Sequence, residues 1–104
     1  MEITRQHFES CPSWETTDQH LQTLIDRLGL DMTVRYQLIE TPEAAAEYGF
    51  RGSPTVLIDG VDPFADHDAP IGLSCRVYRT DTGFAGSPTL DQLEDAITAK
   101  RAAR

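Results

Sequence analysis

The sequence predicts a mixed α/β domain, and three observations carry the prediction. Segments of strand character alternate with helix-spaced apolar stripes along the chain. The helices carry start and stop residues in the right places. One short run, Thr55-Val56-Leu57-Ile58, is apolar throughout, as expected of a strand buried on both faces.

The elements read in order as follows. Ile3 to Phe8 forms a first strand, bounded by Ser10-Cys11-Pro12. Trp14, Leu21, Leu24, Ile25 and Leu28 then share one helical face, with Pro12 suited to a first helical position and Gly29 to the C-terminal cap. Met32 to Ile39 alternates, with Met32, Val34, Tyr36 and Leu38 opposite Thr33, Arg35 and Gln37, which predicts a strand with one wet face. Thr41-Pro42-Glu43 opens a short helix that Gly49 closes. Leu73, Cys75 and Val77 alternate with Ser74, Arg76 and Tyr78, giving a fourth, half-buried strand after Thr55–Ile58. Thr89 and Gln92 fit a capping box for a last helix whose stripe is Leu90, Leu93, Ala96 and Ile97. The predicted order is β-α-β-α-β-β-α, a four-stranded mixed sheet flanked by helices. One strand departs from the pattern: Thr4, Arg5, Gln6 and His7 are polar for a position at the centre of a sheet.

At 104 residues the chain is of single-domain size, and residues 1–104 read as one domain. A chain of this length buries roughly two-thirds of its unfolded surface, enough for a core. Hydrophobic residues make up 39% and charged residues 25%, so disorder is not expected. No run approaches the ~20 apolar residues of a membrane span. The first residues have neither a basic start nor an apolar run, so a cytoplasmic location is expected. Nine Lys and Arg against 17 Asp and Glu give a formal charge of −8, which repels nucleic acid and anionic membrane surfaces. Two cysteines, Cys11 and Cys75, are too few for a disulfide scaffold and lack the clustering of a zinc site. Any chemistry they do is thiol chemistry. Asp59, Asp62, Asp66, His67 and Asp68 do not follow calcium-loop spacing and read as a solvated acidic loop. No phosphate loop, nucleophile elbow or paired-carboxylate pattern is present, and neither a metal nor a cofactor is expected.

Two segments raise a resemblance. In Phe8-Glu9-Ser10-Cys11-Pro12-Ser13-Trp14 a cysteine stands between the first strand and the first helix. In Phe50-Arg51-Gly52-Ser53-Pro54-Thr55 a glycine turn precedes a proline, a threonine and an apolar strand. With the element order, these segments resemble the thioredoxin and glutaredoxin superfamily over nearly the whole chain. More narrowly, they are similar to small bacterial thioredoxin-fold proteins with a Cys-Pro-x-Trp motif, some of which carry an organomercurial-lyase label. The resemblance implies that the Ser53–Pro54 bond is cis and faces the Cys11 loop. It also implies that backbone groups beside Pro54 are free to pair with an extended peptide or thiol ligand. The chain departs from thioredoxins where their second cysteine would stand, because Trp14 occupies that place. A dithiol cycle inside this loop is therefore ruled out.

Cys11 is thus the expected catalytic residue, with Trp14, Arg51, Ser53 and Pro54 expected around the ligand. A helix N-terminus lowers a thiol's pKa, whereas Glu9, Glu15 and Asp18 oppose that effect, and Arg51 is the cation placed to approach. Trp14 reads equally as a cover over Cys11 and as core packing in register with Leu21. His7 reads as a satisfied sheet histidine. Cys75 reads first as a small buried apolar residue and second as a resolving or metal-binding thiol. In a hairpin it pairs near Ile58, several residues at ~3.3 Å each from the Cys11 end of the sheet, whereas a disulfide needs Cα atoms within ~7 Å. The leading functional expectation is monothiol thiol–disulfide redox activity through Cys11, with a protein or low-molecular-weight thiol as partner. The alternatives are a thioredoxin-fold binding module using the Trp14 and Pro54 surface, and capture of a soft metal or organomercurial by Cys11 and Cys75.

Overall fold

The computed structural model describes residues 1–28, 33–66 and 68–102. Its element order is β1 (Glu2–His7), α1 (Trp14–Leu28), β2 (Thr33–Leu38), α2 (Pro42–Tyr48), β3 (Thr55–Ile58), β4 (Tyr78–Thr80), β5 (Gly83–Ala85) and α3 (Leu90–Ala102). The expected roles of Gly29, Met32 and His67 lie outside the described residues.

β1 is central in a three-stranded mixed sheet of order β2-β1-β3. It runs parallel to β2, with Ile3 beside Val34 and His7 beside Leu38. It runs antiparallel to β3, with Ile3 beside Ile58 and Gln6 beside Thr55. The sheet is therefore three-stranded and not four-stranded. The predicted strand around Leu73–Val77 contributes a single parallel bridge, Cys75 to Ser53, and the last two strands form a separate antiparallel ribbon, β4-β5. The reason lies in the chain after β3. Asp59, at φ 50°, and Gly60, at φ 83°, turn it back so that Ile58 bridges Val61, and the chain then loops away before residues 73–77 return to the start of β3. Residues 73–77 therefore form no tight hairpin with β3.

The helix signals act as their chemistry dictates. Thr41 accepts a hydrogen bond from the Ala44 amide, Pro42 opens α2, and Gly49 closes it at φ 63° with its N–H returned to the last turn. At α3 the box is reciprocal. The Gln92 amide donates to Thr89 Oγ1 at 3.1 Å and the Thr89 amide donates to Gln92 Oε1 at 2.9 Å. α1 begins two residues later than Pro12 predicts. Pro12 and Ser13 form the preceding turn, and the Glu15 amide bonds the Pro12 carbonyl.

The core has two parts. Ile3, Val56 and Ile58 of the sheet meet Leu21 and Leu24 of α1 and Leu93 and Ile97 of α3. Ile39, Ala45 and Phe50 form a smaller cluster around α2, against which Phe8 and Leu73 pack. β2 departs from its prediction, because Tyr36 and Leu38 on its apolar side are 62% and 45% exposed. Both lie on the edge strand of the sheet, where Tyr36 is covered on one side by the Arg5 guanidinium. No helix among the described residues is long and apolar enough to cross a membrane.

Replacing Thr89 by Ala removes one half of the α3 box and leaves the Gln92 amide without its cap. A loss of about 1 kcal/mol in unfolding free energy by denaturant titration is expected. An unchanged midpoint would show that the box contributes nothing to stability.

Candidate functional site: the Cys11–Cys75 disulfide beside Pro54

The Ser53–Pro54 peptide bond is cis, as the resemblance implies. Around it the chain builds a narrow clasp. Ser53 is buried and uses its side chain and both backbone groups. Its Oγ accepts from the Phe8 amide at 3.2 Å, tying it to the segment that leads to Cys11. Its N–H donates to the Ser74 carbonyl at 2.8 Å, and its carbonyl accepts from the Arg76 amide at 2.9 Å. One residue thereby holds both cysteine-bearing segments.

The consequence corrects the expected separation of the cysteines. Cys11 and Cys75 are joined by a disulfide, with Cα atoms 5.6 Å apart. Cys75 lies opposite Ser53 and not opposite Ile58, because the long loop brings residues 72–76 back alongside the start of β3. The Gly72 amide, bonded to the Phe50 carbonyl at 3.0 Å, fixes that return. The backbone beside Pro54 is likewise not free for an extended ligand, since the chain's own Ser74–Arg76 segment already pairs there. Cys75 is also not the buried apolar residue expected: it is exposed, while Cys11 is only 1% exposed.

Further anchors keep the returning segment in place. The Arg76 side chain is largely buried and pairs with Asp62 at 2.6 Å. Its guanidinium also donates to Thr55 Oγ1 at 3.2 Å and to the Phe64 carbonyl, and it lies 4.6 Å over the Tyr78 ring. Tyr78 donates its hydroxyl to the Pro54 carbonyl. Burial pushes the Tyr78 phenol far above its ordinary value, an effect that the Arg76 charge opposes and that of Asp62 reinforces. The hydroxyl therefore remains a donor at neutral pH. Asp62 is thus no solvated loop residue. Nor is Asp59 simply solvated, since its Oδ1 accepts from the Glu2 amide at 2.8 Å. Gly52 makes the approach possible. At φ 130° it adopts a backbone that favours glycine, and an added Cβ would stand 2.9 Å from Arg76 Cβ and 3.1 Å from its Cα.

On the other side of Cys11, the polar residues of β1 form a second cluster. Ile3, Arg5 and His7 share one face of the strand. Ile3 enters the apolar core, while Arg5 and His7 lie under the first turns of α1. The Arg5 guanidinium makes a two-pronged bond with Asp18, at 2.7 and 2.8 Å. It stacks 4.9 Å from the Trp14 ring centroid and 4.7 Å from that of Tyr36. Arg5 also bonds His7 Nδ1. Because guanidinium only donates, Nδ1 is the acceptor and the ring proton sits on Nε2, which faces Glu9 Oε1 at 3.4 Å. Trp14 is half-buried, 4.7 Å from the His7 ring, so it packs against β1. Gln6, on the opposite face, is satisfied by Gln37 at 2.7 Å. Arg51 bonds the Ala69 carbonyl in the long loop and lines the same cavity as Cys75. No group of three or more His, Cys, Asp or Glu is placed to hold a metal ion among the described residues.

Sequence reading missed Arg76, Asp62 and Tyr78 as anchors and Arg5–Asp18 as a pair. The latter had a signal: Asp18 follows Trp14 by one turn and precedes Leu21, so an acid sits on the inner helix face opposite a base on the inner strand face. Compared with known proteins, the chain matches no protein-family model and no curated sequence.

Two predictions follow from the buried charges and the close approach. Asp18→Asn leaves the Arg5 charge buried and uncompensated, so stability by denaturant titration is expected to fall by about 3–5 kcal/mol, whereas the Arg5→Met, Asp18→Leu pair recovers most of it. Equal losses in the single and double variants would contradict this. Gly52→Ala is expected to push the Arg76 segment outward and to raise the reduction potential of the disulfide by about 30 mV or more, corresponding to roughly 1.4 kcal/mol. Equilibration against dithiothreitol reads the shift, and an unaltered potential would show that the close approach does not position Cys75.

Proposed function

We propose that this chain is a thioredoxin-like thiol–disulfide redox protein whose working couple is Cys11 with Cys75. The expectation of a lone working thiol at Cys11 thereby becomes a proposal of two, with the second thiol supplied by the returning segment and not by the Cys11 loop. The observation that carries it is the Cys11–Cys75 bond beside the cis Ser53–Pro54 peptide, with Cys75 held by backbone pairing to Ser53. The βαβ start, the antiparallel third strand and the position of Cys11 between β1 and α1 support a thioredoxin-like reading of the fold.

The chemistry is exchange. In the oxidised chain a partner thiolate attacks one sulfur of the pair and expels the other as a thiolate. A second partner thiol completes the transfer of two electrons, leaving Cys11 and Cys75 reduced and the partner oxidised. The reverse sequence oxidises the chain. The anchors on Arg76, Tyr78 and Gly72 do not involve sulfur, so they hold Cys75 beside Cys11 after reduction. Closure of the pair is then favoured by proximity. In the reducing cytoplasm proposed for this chain, a disulfide persists mainly as part of such a cycle.

Redox titration in thiol buffers, read by alkylation and mass, tests the proposal. A reversible two-electron transition with a midpoint between about −300 and −120 mV is expected, together with a trapped mixed disulfide when Cys11 is replaced by Ser and Cys75 is left as the one thiol. A midpoint below about −300 mV with no trapped adduct would identify the bond as a staple and overturn the redox reading.

A further inference from the structure

We propose that the partner exchanges at Cys75 and not at Cys11, and that it is a protein dithiol whose reactive cysteine is flanked by apolar and acidic residues. This inference rests on the redox reading above and assigns its two sulfurs different roles. Cys11 is 1% exposed, whereas Cys75 is exposed. The strand-pairing position beside Pro54 is filled by Ser74 and Arg76, so a partner cannot reach Cys11 by adding a strand there.

What stands open is the other side of the crossing segment. Cys75 lines a cavity of about 490 Å³ whose wall includes Phe64, Pro70, Val77, Phe84 and Arg79. Val77 and Phe84 are 64% and 74% exposed, and Ile71 nearby in the same loop is 47% exposed. Large apolar side chains left in water around a disulfide mark a surface for a protein partner more than for a small polar thiol. Arg51, Arg76, Arg79 and Asp66 line the same cavity; with the Arg76 charge met by Asp62, two arginines face one carboxylate there, a local excess of positive charge in a chain of net charge −8. Charge complementarity therefore favours an acid beside the partner's cysteine.

The step balances as follows. The partner's first thiolate attacks Cys75 Sγ, and its electron pair forms the new S–S bond as the Cys11–Cys75 bond breaks. Cys11 leaves with the bonding pair as a thiolate, at the turn that leads into α1, where the positive end of the helix dipole favours negative charge. The partner's second thiolate then attacks its own first sulfur, closing the partner disulfide and releasing Cys75 as a thiolate. Two electrons pass to the chain. The two protons lost by the partner's thiols reach Cys11 and Cys75 through solvent.

The test mixes the oxidised full-length chain with a synthetic peptide bearing one cysteine between Leu and Glu, quenches with acid, and maps the adduct by mass spectrometry. The adduct is expected on Cys75, formed about tenfold faster than with the same peptide carrying Lys for Glu. Phe84→Ala is expected to slow the Leu-Cys-Glu peptide several-fold while leaving 2-mercaptoethanol unaffected. An adduct on Cys11, or equal rates for the two peptides, would overturn the assignment even if exchange occurs. Failure of every thiol to react would instead strike the redox reading beneath it.

Discussion

The pairing of Ser74 and Arg76 with the two backbone groups of Ser53 is the constraint on which the rest of this molecule depends. It converts a loop into a third wall for the site, sets which residue faces Cys11, and decides what can and cannot approach Pro54. Each supporting contact serves that register. Gly52 lets the segment come close, Arg76 holds it from within through Asp62 and Phe64, and Tyr78 ties its far end to the Pro54 carbonyl. The disulfide is the covalent member of this set and not its sole cause. Buried ion pairs add little to stability by themselves, because desolvation offsets most of their attraction. Their directional bonds still select one arrangement of the returning chain.

Much of the fold was legible because its signals are local. The caps of α2 and α3 were readable from Thr41, Gly49, Thr89 and Gln92, whose side chains or backbone freedom act within one turn. The apolar face of α1 was readable from periodicity, and β3 from its unbroken apolar run. The path from Gly60 to Gly72 was not, since nothing local distinguishes a hairpin from a long excursion that returns in parallel. That excursion decided the position of Cys75, so the site was only half legible: Cys11, Ser53 and Pro54 could be placed, but their covalent partner could not. The exposed side of β2 was misread for a related reason. Alternation shows that two faces differ, but not whether another layer covers the apolar one.

The polar centre of β1 shows how a pattern that looks wrong locally can be right globally. Arg5 and His7 would be costly in an apolar core. There they meet Asp18, Trp14 and Glu9, and every side-chain nitrogen of Arg5 and His7 has a hydrogen-bond partner. The same strand is therefore apolar where it meets α3 and polar where it nears the disulfide. That division keeps the hydrophobic core and the disulfide at opposite ends of one sheet.

The bond between Cys11 and Cys75 also closes a ring, spanning a sequence separation of 64 residues, that encloses α1, β2, α2 and β3. Cleavage by a protease in the exposed stretch around Val61 and Ala65 would leave the halves covalently linked for as long as the sulfurs stay oxidised. Chain integrity at that loop is thus coupled to redox state: the oxidised molecule survives a nick as one piece, and the reduced one relies on packing alone.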